Sequence, residues 1–310
     1  MKSGKIFKII RGVLMTCIVL AVILPALLYV ALSLPWVHDA IRHKCESVLT
    51  EKLGADVTID DLGIRPFNRA TIRGVTVVNA GDTIMTAERL GAGISVYELL
   101  MHGNIAIDYA EVSGLDLRLH RDSPDSPLNI QPVIDALSGK DKDKAPAKFD
   151  LRINTVVIRT STVSYDVTSA PRRQPGVFDP SHIKILNLRA DLNIPRLSND
   201  DSRINLRRLA FAEQSGLEIT GMKADFRYSP EEIGWISLTI EMPGSKIEPL
   251  DLSESLSSLG GIATGLSGRM LSLGFKPGSH IQLSDIAPLA PELDGFDATV
   301  AFDMEIDAGP

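Results

Sequence analysis

Six histidines, two cysteines, several paired acids and a glycine-rich run are what this 310-residue chain offers to covalent or metal chemistry. His38, His43, His102, His120, His182 and His280 would ligate a metal or carry protons. None stands in a His-Glu-x-x-His pair or beside paired cysteines. Cys17 falls within an apolar stretch and Cys45 beyond it, so they cannot pair, and no Leu-x-x-Cys lipobox surrounds Cys17. Asp60 and Asp61, or Asp141 and Asp143, would bring carboxylates to a divalent cation. Asp141 and Asp143 alternate with lysines, however, and no EF-hand template is complete. Gly260, Gly261, Gly265 and Gly268 lack the Lys-Ser or Lys-Thr that follows a phosphate loop, and Gly265-Leu266-Ser267-Gly268-Arg269 is not a nucleophile elbow. The sequence predicts no catalytic residue, no metal site and no cofactor.

With no reactive constellation to hold, the strands themselves become the candidate surface. Val37 to Leu53 repeats apolar residues near 3.6-residue spacing and predicts one helix that Gly54 stops. Beyond it the period changes to two. Ile105, Ile107, Tyr109, Leu115, Leu117 and Leu119 alternate against Asp108, Asp116, Arg118 and His120, which predicts one apolar and one solvated face. The interruption at Glu111 to Gly114 reads as a twist or bulge that keeps the phase. Similar alternation recurs to the C-terminus, joined by Ala80-Gly81-Asp82, Gln214-Ser215-Gly216 and Pro277-Gly278 turns. An antiparallel meander is expected, with short helices at residues 95–101, 129–137 and 251–259. From Phe296 to Ile306 the alternation is unbroken, which predicts an exposed apolar edge strand.

Lys2, Lys5, Lys8 and Arg11 precede Val13 to Leu34, an uncharged stretch long enough for a hydrocarbon core of about 30 Å. The basic flank predicts a cytoplasmic N-terminus, with Val13 and Leu34 bounding the anchor and Trp36 at the far interface. A cleaved secretory signal is the alternative, for which this apolar run is long. Without those four basic residues, 28 Lys and Arg stand against 39 Asp and Glu, a charge of −11. Such a surface argues against nucleic acid and against a polybasic grip on anionic headgroups.

About a dozen amphipathic strands with few helices must turn their apolar faces on one another, as in a closed sandwich, or leave them open to something equally apolar. Aromatic residues are only 5%, and the inward sets are Leu, Ile and Val. Acyl chains suit such a surface, because each buried methylene contributes ~0.8 kcal/mol without a directional partner. The candidate lining is Ile72, Ile105, Ile107, Tyr109, Leu115, Leu117, Leu119, Leu151, Ile153, Phe226, Val300 and Phe302.

The run "LPWVHDAIRHKCESVLTEKLGADVTIDDLGIRPFNRATIRGVTVVNAGDTIMTAERLGAGISVYELL" resembles the start of the TamB-like translocation and assembly modules of the AsmA-like group. The shared pattern is a membrane helix, an amphipathic helix ending "KLG", "FNR" before a strand, then "GDT" and "AERL". "SPLNIQPVIDAL" and "LSDIAPLAPEL" continue it. The resemblance implies a mainly β fold, an N-terminal transmembrane helix followed by an elongated taco-like β-groove. It divides the chain into an anchor (1–35), a surface helix (36–54), a first groove unit (55–138), a charged linker (139–148) and a continuing groove (149–310) that stops at an unfinished edge. It implies a single-pass inner-membrane protein, mostly periplasmic, that carries membrane phospholipid or assists outer-membrane proteins beside a barrel partner. A dozen strands at ~4.8 Å spacing span roughly 50 Å, too short to bridge two membranes alone.

Overall fold

A computed structural model describes residue 30 and residues 34–65, 69–94, 106–137, 150–198, 201–228, 233–250, 271–302 and 305–308. Helix α1 (Pro35–Leu53) enters the first strands, β1 (Asp56–Arg65), β2 (Arg69–Asn79), β3 (Asp82–Ile94) and β4 (Ala106–Arg121). Helix α2 (Gln131–Leu137) separates these from β5 (Asp150–Val167), β6 (His182–Ser198), β7 (Ser202–Glu213), β8 (Glu218–Tyr228) and β9 (Ile233–Glu241). Short strands follow: β10 (Lys246–Ile247), β11 (Pro249–Leu250), β12 (Leu271–Phe275), β13 (Ser279–Gln282), β14 (Thr299–Phe302) and β15 (Glu305–Ala308). Helix α3 (Leu283–Ile286) and a 3-10 turn at Pro291–Leu293 lie between β13 and β14.

The strands build an open sheet of 12 strands, in the order β1 to β10, then β13 and β14; β11, β12 and β15 form a separate three-stranded sheet. The fold is mainly β, as expected. One feature of the expected meander is corrected: β4 and β5 pair in parallel, Ile107 opposite Ile153 and Leu117 opposite Val163. The connection from Asp122 to Phe149, which carries α2, is long enough for the crossover that parallel pairing requires. The unbroken strand expected from Phe296 to Ile306 is also corrected. β14 pairs with β13 in the large sheet, whereas β15 pairs with β12 in the small one.

A crease crosses the first five strands. Ile59 opposes Val75 and Asp61 opposes Arg73, leaving Asp60 against Gly74 as an extra pair. The same line continues through Glu88, Gly114 and Thr160. Gly74 (φ 58°), Gly114 (φ 62°) and Thr160 (φ 47°) are all left-handed there. Each strand therefore turns two successive residues outward and resumes alternation with its phase shifted, so apolar residues on both sides of the crease share one face. Glycine is required twice, because a methyl group at Gly74 or Gly114 would fall on the Asp60 or Glu88 side chain.

The buried core lies at the N-terminal end of that face. Ala55, Val57, Ile59, Val75, Val77, Ile84 and Ala87 pack with Val133 of α2, and Cys45, Leu49 and Leu53 of α1 close over them. The helix ends as its sequence predicts, with Gly54 left-handed (φ 62°) and its N–H donating to Thr50 O at 2.9 Å. Among the described residues, no helix is long and apolar enough to cross a membrane. The anchor expected from Val13 lies outside the described residues, as do Ile105 and the helices expected at 95–101 and 251–259.

Candidate functional site

An uninterrupted apolar row crosses the sheet. Ile72 opposes Leu90, Leu90 opposes Val112, and Val112 opposes Ile158. The row continues through Ala190, Leu209 and Met222 to Ile240. Directly paired residues project to the same side of a sheet, so these side chains form one stripe. A second row, Ala110, Val156, Leu192, Leu206, Ala224 and Leu238, runs beside it on the same face. Eight strands at ~4.8 Å spacing make the first row about 34 Å long. One leaflet's acyl tails reach about 15 Å, half a hydrocarbon core, so the row is two tails long.

The cover over this stripe is uneven. Beyond sheet neighbours, extensive contacts among the described elements join α1 to β1 and α2, α3 to β13 and the 3-10 turn, and β9 to β11. None lays a helix over β5 to β9. Ile158, Leu192, Leu206, Leu209 and Met222 are accordingly only half-buried, whereas Ile59 and Ile84 at the N-terminal end are 1% exposed.

The structure separates the residues that sequence periodicity grouped. Ile72, Leu115 and Leu117 pack against the helix-covered core. Ile107, Ile153 and Phe226 are half-buried on the apolar face nearer the opposite strand ends, and Leu119 pairs with Tyr165. Leu151 lies in β5 opposite Leu197. Tyr109 requires a correction: it belongs to the polar face, where the Arg69 guanidinium lies 5.4 Å from its ring centroid and Glu111 adjoins it. Burial, and then Glu111, push its phenol pKa up. Two phase slips, at Asp108–Tyr109 and Ser113–Gly114, cancel between Ile107 and Leu115. Ala110 and Val112 therefore occupy the positions assigned to Tyr109. Val300 is exposed on edge strand β14, and the Phe302 ring lies 5.1 Å from that of Phe275, tilted by 47°, a contact between the two sheets. Leu34 and Trp36 are 39% and 69% exposed.

Polar side chains gather in two clusters beside the sheet's turns. His120, expected to be solvated, meets Asp82 at 2.8 Å, and Asn129 Nδ2 donates to the same Asp82 oxygen at 2.9 Å. Those bonds hold the Asp82 carboxyl below the usual carboxylate range, Asn129 first and His120 next. His182 is buried, with Nδ1 3.0 Å from Asp179 Oδ2, and the N–H groups of Arg173 and Ser181 donate to that carboxylate. Their bonds, led by Arg173 N–H, likewise lower the Asp179 pKa. The same loop is tied across the sheet by Phe178 N–H donating to Pro288 O at 2.7 Å. No group of three or more potential metal ligands occurs among the described residues. No family model matches the chain, and no curated protein is significantly similar to it.

Sequence reasoning missed the second row and the buried His182–Asp179 pair. Aspartate three residues before histidine was a visible signal for the pair. The register that aligns eight strands had none, because it depends on bulges.

Proposed function

We propose that this chain is a membrane-anchored lipid-transfer conduit whose aliphatic stripe carries phospholipid acyl chains while the headgroups stay in water. One observation carries the reading: an in-register row of Ile, Leu, Val, Ala and Met crosses eight strands on a face that no described helix covers from β5 to β9. Aliphatic side chains hold a tail by methylene burial and impose no fixed position along it, which suits sliding. The uncharged stretch from Val13 to Leu34 supplies the anchor, and exposed Trp36 the interfacial residue. The resemblance to TamB-like modules adds an inner-membrane address and a periplasmic sheet serving outer-membrane biogenesis. Full-length protein, purified and placed between donor and acceptor vesicles, is expected to move fluorescent phosphatidylethanolamine faster than vesicle collision alone. A rate equal to the protein-free control would overturn the reading.

A second reading is an assembly factor that templates client strands along a sheet edge. β14 ends the large sheet, and the nearby Leu289, Phe296 and Val300 are 51%, 59% and 45% exposed. Strand addition there would use main-chain hydrogen bonds. Val300→Pro is expected to abolish capture of unfolded outer-membrane protein, and unchanged capture excludes this edge.

A further inference from the structure

Helix α1 does two things at once, with two adjacent rows of side chains. Arg42, Glu46 and Thr50, one turn apart, hydrogen-bond the free edge of β1. Arg42 Nη1 donates to Ile59 O at 3.1 Å, Ile59 N–H donates to Glu46 Oε1 at 2.9 Å, and Val57 N–H donates to Thr50 Oγ1 at 3.1 Å. The neighbouring row, Cys45, Leu49 and Leu53, packs onto the core. An edge strand ordinarily presents unpaired groups to any incoming strand; here side chains occupy them. Beneath the helix, Ile59, Ile84 and Ala87 are 1%, 1% and 2% exposed, which leaves no room for a ligand.

Direction follows from the same bonds. Thr50 meets Val57 and Glu46 meets Ile59, so α1 runs antiparallel to β1. At 1.5 Å per residue, Trp36 lies about 15 Å beyond Glu46, toward the Arg65 end of β1. Ile107, Ile153, Ile194 and Phe226 sit near that same end of their strands. The uncharged stretch ending at Leu34 leads to that end, and there Leu34, which caps α1, and Trp36 in its first turn are exposed.

We propose that α1 and α2 stopper the N-terminal four strands, and that phospholipid tails enter sideways over the lip formed by Ile153, Ile194 and Phe226. The inference rests on the lipid-conduit reading and adds where access occurs. The test places a benzophenone amino acid singly at Ile153, Ile194 or Phe226, and singly at Ile72, Leu90 or Leu115 beneath the helices. Each full-length protein is irradiated in vesicles of phosphatidylethanolamine and phosphatidylglycerol, and lipid adducts are counted by mass spectrometry. Capture at the lip is expected to exceed capture beneath the helices at least tenfold. Equal capture, or capture confined to Leu90 and Leu115, overturns the stopper while leaving the conduit standing. No adduct at any position overturns both. If the Leu90 label unfolds the chain, Ile72 and Leu115 give the comparison.

Discussion

Thr160 is the residue whose conformation departs furthest from its type. A β-branched side chain at φ 47° is held left-handed because the crease through Gly74 and Gly114 continues into β5. The left-handed penalty of about 1–2 kcal/mol exceeds the entropic cost of about 0.5–1 kcal/mol that glycine brings. Thr160→Gly is therefore expected to stabilise the fold by about 0.5–1 kcal/mol, read from the denaturant midpoint. Gly114→Ala is expected to do the reverse by more than about 1 kcal/mol, since the left-handed strain and the Glu88 side chain oppose it together. Glu46, Asp82 and Asp179 all have lowered pKa values, from Ile59 N–H, Asn129 and Arg173 N–H respectively. Depressed folded values give stability that is complete above the ordinary carboxylate pKa of about 4 and is lost as pH falls through the folded values. Thermal melts are expected to hold level from pH 7 to 5 and drop below pH 4, with a shallower acid slope in Asp82→Asn.

At the scale of elements, two fastenings hold the sheet's N-terminal end. One is α1 on the β1 edge. Arg42→Ala with Glu46→Ala removes the two side-chain bonds to the β1 edge, each worth about 0.5–1.5 kcal/mol, and is expected to cost about 1–3 kcal/mol in total through them, the Arg42–Glu46 and Glu46–His43 contacts within the helix adding little. Hydrogen exchange at the Ile59 amide is the direct readout, and protection unchanged from the parent would refute the fastening. The other is Asn129 at the start of the crossover. Its side chain donates to Asp82 and to Arg118 O and accepts from His120 N–H at 3.1 Å. Asn129→Ala is expected to destabilise by about 1–3 kcal/mol, because Arg118 O and His120 N–H lose a partner where loop meets strand.

For the whole molecule, the decisive contrast lies between one end of a single apolar face and the rest of it. Side chains of the same kind are core under α1 and α2, as at Ile59 and Ile84, whereas from β5 onward Ile158, Leu192, Leu206, Leu209 and Met222 stay half-buried and only the small Ala190 and Ala224 of the two rows are buried. A charge at each place should fail differently. Leu117→Glu is expected to lower the melting temperature sharply, because the new carboxylate enters the core. Leu192→Glu is expected to leave the melt nearly unchanged and, under the proposed conduit function, to reduce phospholipid transfer at least tenfold. Full transfer by a folded Leu192→Glu protein would remove the stripe from the proposed transport path.

Much of this was legible along the chain. Helix α1 with its Gly54 stop and the strand-rich body follow from local pattern, because 3.6- and two-residue periods are properties of neighbouring residues. Ile72, Ile107, Leu115 and Phe226 are apolar-facing for the same reason. Tyr109 is not, and neither the parallel β4–β5 pair nor the split at β14 and β15 was foreseeable. Each depends on a bulge or a partner strand distant in sequence, and one extra residue in a strand reverses every side chain beyond it. Which apolar residues became core and which stayed open was decided by where α1 and α2 landed, and only tertiary contact fixes that.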